Sequence, residues 1–224
     1  MNEFEKKEDN LTNENEESKH EKDVQVEENQ NKLPKNLRIG WCICASYCNH
    51  SETLKVMKRI KDENDVEIIH IVSENAAKYD TRFGTKEAFL EDVEKIAGNK
   101  VLKTPVEVEV IGPQNIVDII VALPCTGNTL AKLALGITDN SVLGAIKTMR
   151  RENKPVILAV SSNDMASLNL KNLGNLMVVK DIYFVPLRMD NPVSKPNSMA
   201  SDFNLLEETI LKALEGKQLQ PVLR

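Results

Sequence analysis

From about residue 37 onward, two kinds of hydrophobic run alternate along the chain. The first kind is short and uniformly apolar: Arg38-Ile-Gly-Trp-Cys-Ile-Cys44, Val66-Glu-Ile-Ile-His-Ile-Val72, Asp118-Ile-Ile-Val-Ala-Leu123, Pro155-Val-Ile-Leu-Ala-Val160 and Asp181-Ile-Tyr-Phe-Val-Pro-Leu187. Unbroken apolarity marks strands covered on both faces. The second kind has helical spacing. Leu54, Met57 and Ile60 recur every third residue behind Ser51, a good capping residue, with Glu52 in the first turn. Phe89, Leu90, Val93 and Ile96 line a helix from Lys86 to Ala97 that Gly98 is placed to end. Val142, Ala145, Ile146 and Met149 mark a helix within residues 138–151, and a closing helix runs from Leu205 to Leu214. Strands alternating with helices predict βαβ units, an α/β domain over residues 37–224 and a mostly parallel sheet.

The first 36 residues break this pattern. They hold 11 acidic residues against 6 lysines, with Phe4, Leu11 and Leu33 almost alone as large apolar side chains. Such a segment buries too little surface to offset its ordering entropy, so a disordered acidic tail over residues 1–36 is expected. The tail accounts for the whole net charge of −5, since the remainder has 23 acids and 23 bases. A neutral body with mixed signs lacks the basic stripe that nucleic acid requires. No long apolar run suggests a membrane span or secretory leader, and three of the four cysteines crowd into positions 42, 44 and 48 rather than forming a disulfide framework. A cytoplasmic protein with reduced thiols is expected.

Candidate chemistry follows from the sheet. Ligands bind beyond the carboxyl ends of parallel strands, and here those ends are small and polar: Ala45-Ser46, Ser73-Glu-Asn75, Thr126-Gly127-Asn128-Thr129 and Ser161-Ser-Asn163-Asp164. Hydroxyls, amides and accessible backbone N–H groups at helix starts suit a phosphate better than a metal ion. Each residue alone also fits a plain cap or turn role. Arg82 and Lys195 are the cations placed for an anionic substrate. Gly-x-Gly-x-x-Gly is missing after the first strand, which disfavours a dinucleotide on this chain. Cys42, Cys44, Cys48 and His50 match no common zinc or iron–sulfur spacing, so no metal is expected. Cys125 is either a reactive thiol or loop filler, and His50 either an acid or base or a surface residue beside a cap. His70, inside a strand, reads as a packed core histidine.

Pro124-Cys-Thr-Gly-Asn-Thr-Leu-Ala-Lys-Leu-Ala-Leu-Gly-Ile-Thr-Asp-Asn140 resembles the flavin-binding segment of the flavoprotein superfamily that includes phosphopantothenoylcysteine decarboxylase and flavin prenyltransferase. Thr81-Arg-Phe-Gly84, Val160-Ser-Ser-Asn-Asp164, Ile182-Tyr-Phe-Val-Pro186, Lys195-Pro-Asn-Ser198 and Gln218-Leu-Gln-Pro-Val-Leu223 extend the resemblance to the dipicolinate synthase B subunits. The resemblance implies a Rossmann-like three-layer flavoprotein fold, FMN as cofactor and a small dicarboxylate substrate. It further implies a homo-oligomer to which residues 138–151 contribute, and a partner A subunit that carries NADP. The reaction implied is oxidation of a dihydrodipicolinate-type precursor during sporulation. Ala45, Ser46, Ser73, Thr126, Gly127, Asn128, Thr129, Ser161 and Asn163 would then face the cofactor, and Arg82, Asn128 and Lys195 the substrate. The decarboxylases' Pro-x-Met-Asn segment is replaced by Ser161-Ser-Asn-Asp164, which argues against an independent decarboxylase. A structural subunit on the same scaffold that has lost flavin is the other alternative.

Overall fold

The computed structural model describes residues 32–224; the segment expected to be a disordered tail lies outside the described residues up to position 31. Residues just ahead of position 37 already pack on the domain. Leu33 is only 5% exposed within the core, its N–H donates to Asn64 Oδ1, and the Asn36 N–H donates to the Asp65 carbonyl. Sequence alone leaves Leu33 in the tail because a lone leucine among polar residues has no period.

The strands are β1 (Leu37–Ile43), β2 (Val66–Val72), β3 (Ile119–Cys125), β4 (Val156–Ser162), β5 (Ile182–Phe184), β6 (Leu187–Asn191) and β7 (Lys195–Ser201). The first five form a parallel sheet in the order β2-β1-β3-β4-β5. The run 181–187 is not one strand. It stops at Phe184, and Leu187 opens an antiparallel hairpin, β6–β7, that joins the sheet where Ser161 and Ser162 of β4 pair with Ala200 and Met199.

The helices are α1 (His50–Glu63), α2 (Glu74–Lys78), α3 (Lys86–Ala97), α4 (Pro105–Val108), α5 (Gly127–Ala134), α6 (Ser141–Arg151), α7 (Leu168–Met177) and α8 (Leu206–Leu214). One face of the sheet buries Ile39, Trp41 and Ile43 against Met57 and Ile60 of α1, Val93 of α3 and Ile210 of α8. The other buries Cys42, Cys44 and Ile120 against Leu130 of α5, Val142, Ile146 and Met149 of α6, and Leu173 of α7. The result is the α/β three-layer arrangement expected. α3 ends at Gly98 with φ 77°, the left-handed conformation that glycine adopts without strain.

One expectation about a helix start is corrected. α1 starts at His50 with Asn49 in the cap position, because Ser51 has already entered the helix. The apolar side chains of α6 are buried in the core, and its exposed positions include Lys147, Arg150 and Arg151. No helix among the described residues is long and apolar enough to cross a membrane.

Candidate functional site

The carboxyl ends of β1, β3 and β4, together with the β6–β7 hairpin, wall a cleft of about 830 Å3. Of the residues singled out from sequence, Ala45, Ser46, Arg82, Thr126, Gly127, Asn128, Ser161, Asn163 and Lys195 line it. Ser73 and Thr129 do not. They line an adjoining cavity of about 300 Å3 that shares Ala45, Thr126 and Asn128 with the cleft.

The start of α5 organises both spaces. Thr126 caps the helix, its hydroxyl accepting from the Thr129 N–H at 3.2 Å. Gly127 and Asn128 contribute the first helical N–H groups, and neither makes a hydrogen bond among the described residues. Gly127 is required for packing. A Cβ there would lie 2.6 Å from both Asn169 Nδ2 and Ser162 Oγ, and 3.1 Å from Asp164 Oδ1. Those atoms form a bracket behind the helix start. Asp164 accepts from the Ser162 hydroxyl and from Asn169 Nδ2 at 2.7 Å, while Asn172 Nδ2 donates to Asn169 Oδ1. Hydrogen bonding, first from Ser162, holds the Asp164 carboxyl below its ordinary range, so it stays ionised.

Asn49 is the residue that sequence reading missed. Its Nδ2 donates to Ser46 Oγ at 3.0 Å and to Ser161 Oγ at 2.6 Å, which ties the end of β1 to the end of β4 across 112 residues of chain. That commitment is why Asn49 makes no side-chain cap on α1. Asn128, by contrast, is exposed and its side chain bonds nothing among the described residues, although it lines both spaces.

The charged residues are not equivalent. Lys195 pairs with Asp190 at 2.7 Å on the cleft rim, and each holds the other in its charged form. Arg82 has no ion pair among the described residues and rests its guanidinium 4.8 Å from the centre of the Phe83 ring. In the smaller cavity the Ser73 hydroxyl is buried, at 8% residue exposure, with no hydrogen-bond partner among the described residues, and the Thr129 hydroxyl is turned inward onto Cys44 Sγ.

The thiols separate cleanly. Cys42, Cys44 and Cys125 are buried, and burial pushes each one's pKa up, which disfavours a reactive thiolate at Cys125. Cys48 is exposed at the cleft wall. His50 Nε2 bonds the Cys44 carbonyl at 2.9 Å, and burial lowers the imidazole pKa. His70 lies wholly inside the core. Among the described residues no group of three or more His, Cys, Asp or Glu could hold a metal ion.

A model of the Flavoprotein family matches residues 26–209. The B subunit of dipicolinate synthase from Bacillus subtilis (strain 168) is 38% identical over 189 residues, covering 84% of this chain and 94% of the relative. Among solved structures, the dipicolinate synthase B subunit from Bacillus halodurans superposes with a TM-score of 0.77 at 35% identity, over 85% of this chain and 97% of its own. Burkholderia xenovorans DmrB in complex with FMN, described as a cubic protein cage for redox transfer, shares the fold with a TM-score of 0.60 at 17% identity, over 82% of this chain and 98% of its own. The chain belongs to the flavoprotein family, and its similarity within that family runs to the dipicolinate synthase B subunits.

Proposed function

We propose that the chain is a B-type subunit of a dipicolinate-forming oxidoreductase. It binds FMN and a small pyridine-type dicarboxylate at the carboxyl end of the sheet, in the cleft and the spaces adjoining it, and it works with an NADP-binding A-type subunit to oxidise a dihydrodipicolinate precursor. The reading includes a homo-oligomeric assembly in the cytoplasm of a sporulating cell. The observation that carries it is the start of α5, where the Gly127 and Asn128 N–H groups open without partners onto a wall of hydroxyls and amides. Partner-free helix N–H groups favour an anion, and the helix dipole adds to the attraction.

The residues fit a flavin phosphate. The buried, unpartnered Ser73 hydroxyl is a donor that an anion beside Thr126 and Asn128 would satisfy, and glycine at 127 leaves room for the bracket that fixes the helix start. FMN, when bound, supplies a two-electron acceptor. Gly127, Asn128, Ser46 and Ser73 would hold its phosphate, and Asn49 keeps the walls on which Ser46 and Ser161 sit at a fixed separation. Arg82 is the cation left to orient a substrate carboxylate, because Asp190 already neutralises Lys195. Gly40 of β1 is followed by Trp41 and not by the glycines of a dinucleotide loop, which supports the reading that the partner carries NADP.

The test is NADPH formation from the dihydro precursor. The chain alone is expected to be inactive, and adding the A-type subunit should give turnover that Arg82→Ala lowers by about tenfold or more. Turnover by the chain alone with NADP, or the same rate from the A-type subunit without it, would overturn the shared-site reading.

A further inference from the structure

Beside the cleft lies a second cavity, of about 410 Å3, between α1, α2 and α3. The two spaces share Tyr47, Cys48 and Phe83, so the side cavity adjoins the cleft directly. Its walls are unusual for this chain. Phenylalanine, tyrosine and tryptophan make up 4% of the sequence, so fewer than one would be expected around a cavity of this size, yet Tyr47, Tyr79, Phe83 and Phe89 all line it. His50 joins them, stacked on Phe89 with ring centres 4.4 Å apart and planes 20° from parallel, and set edge-on to Tyr47.

Two of these rings are left half in solvent, Tyr79 at 50% and Phe83 at 54% exposure. Cations lie over both rings, the Arg82 guanidinium 4.8 Å from the Phe83 centre and Lys78 Nζ 5.3 Å from the Tyr79 centre, and the apolar ring surface still exposed gains free energy when another flat ring covers it. The cavity also supplies polar recognition. Lys55 lines it and forms no ion pair among the described residues, and Arg82 stands on the cleft side of Phe83. His50 spends Nε2 on the Cys44 carbonyl, while its Nδ1 makes no hydrogen bond among the described residues.

We propose that this aromatic side cavity is the ring subsite for the substrate. A planar aromatic or dihydroaromatic carboxylate stacks against Phe83 and Tyr79, with its carboxylates between Lys55 and Arg82, while the phosphate cradle at α5 remains for the cofactor. The assignment rests on the function proposed above. It goes beyond it by separating the place of the ring from the place of the flavin phosphate.

Dipicolinate is the probe, titrated calorimetrically into the full chain and into the Tyr79→Ala/Phe83→Ala double variant. Both residues are half exposed, so the fold should survive, and far-ultraviolet circular dichroism with a thermal melt verifies it. Wild type is expected to bind dipicolinate, and the double variant to bind it roughly tenfold or more weakly. A double variant that keeps wild-type dipicolinate affinity, or wild type that binds none at millimolar concentration, overturns the subsite, whatever the result for NADPH formation. Loss of dipicolinate binding in the double variant supports the subsite even if no partner-dependent NADPH formation is found, in which case the proposed reaction fails and the ring site stands.

Discussion

His70 makes a pH-dependent stability prediction that can be worked from its surroundings. It sits in β2 with no exposed surface, its Nε2 3.1 Å from Met57 Sδ and its Nδ1 buried without a partner among the described residues. Burial first, and then the charge of Lys61, push its pKa from the ordinary 6.5 to about 4. The folded form therefore refuses a proton that the unfolded chain accepts. Above about pH 6.5 both states are neutral and stability is complete; as pH falls toward 4 the unfolded state gains protons alone and stability drains away. A gap of about 2.5 units corresponds to about 3.4 kcal/mol in full, and to about 2 kcal/mol at pH 5. The assay is urea unfolding of wild type and His70→Leu at pH 7.5 and pH 5. Carboxylates titrate alike in both, so the difference between the two pH dependences isolates His70. Wild type should lose about 2 kcal/mol more than the variant between the two pH values. Equal losses would mean that His70 is solvated or protonated in the native state, and the burial argument would be wrong.

Other expectations concern the cradle and the start of the domain. Asn128→Ala should weaken FMN binding by about tenfold with a melting temperature close to wild type, because an exposed, unbonded amide contributes little to the fold; a large fall in melting temperature with unchanged binding would assign it a structural role. Gly127→Ala should cost about 1–3 kcal/mol in denaturant unfolding and lower FMN affinity, since its methyl would press on Ser162, Asp164 and Asn169; a neutral result would show that the bracket yields freely. Removing residues through Lys35 takes away Leu33 and should cost about 2–5 kcal/mol by the same assay, whereas stability equal to the full chain would show that Leu33 packs idly.

The parallel strands were legible because each is buried on both faces, and Trp41 to Cys44 or Ile119 to Leu123 have no polar alternation to confuse with a surface sheet. The hairpin was not. Its residues from Arg188 to Asn197 are largely exposed and carry Asp190, Asn191 and Lys195, so no hydrophobic pattern announces them. α7 was hidden for the opposite reason. Asn169 and Asn172 face inward toward Asp164 while Leu168 and Leu170 face out, which inverts the pattern a surface helix shows. For the site, residues directly after β1, β3 and β4 could be found by position alone. Asn49 could not, because its value lies in a contact with Ser161 that only the folded sheet creates. The aromatic cavity was equally invisible, since Tyr47 lies just before α1, Tyr79 and Phe83 between α2 and α3, and Phe89 on α3, with no period in common.

The central claim is that the start of α5 and the strand ends around it form a phosphate cradle for a flavin mononucleotide. FMN and riboflavin differ by that phosphate alone, so titrating each into the purified chain and following flavin fluorescence tests the cradle directly. The account expects FMN to saturate at one per chain and riboflavin to bind at least about tenfold more weakly. Equal affinities for the two flavins, or no quenching of either, would contradict it.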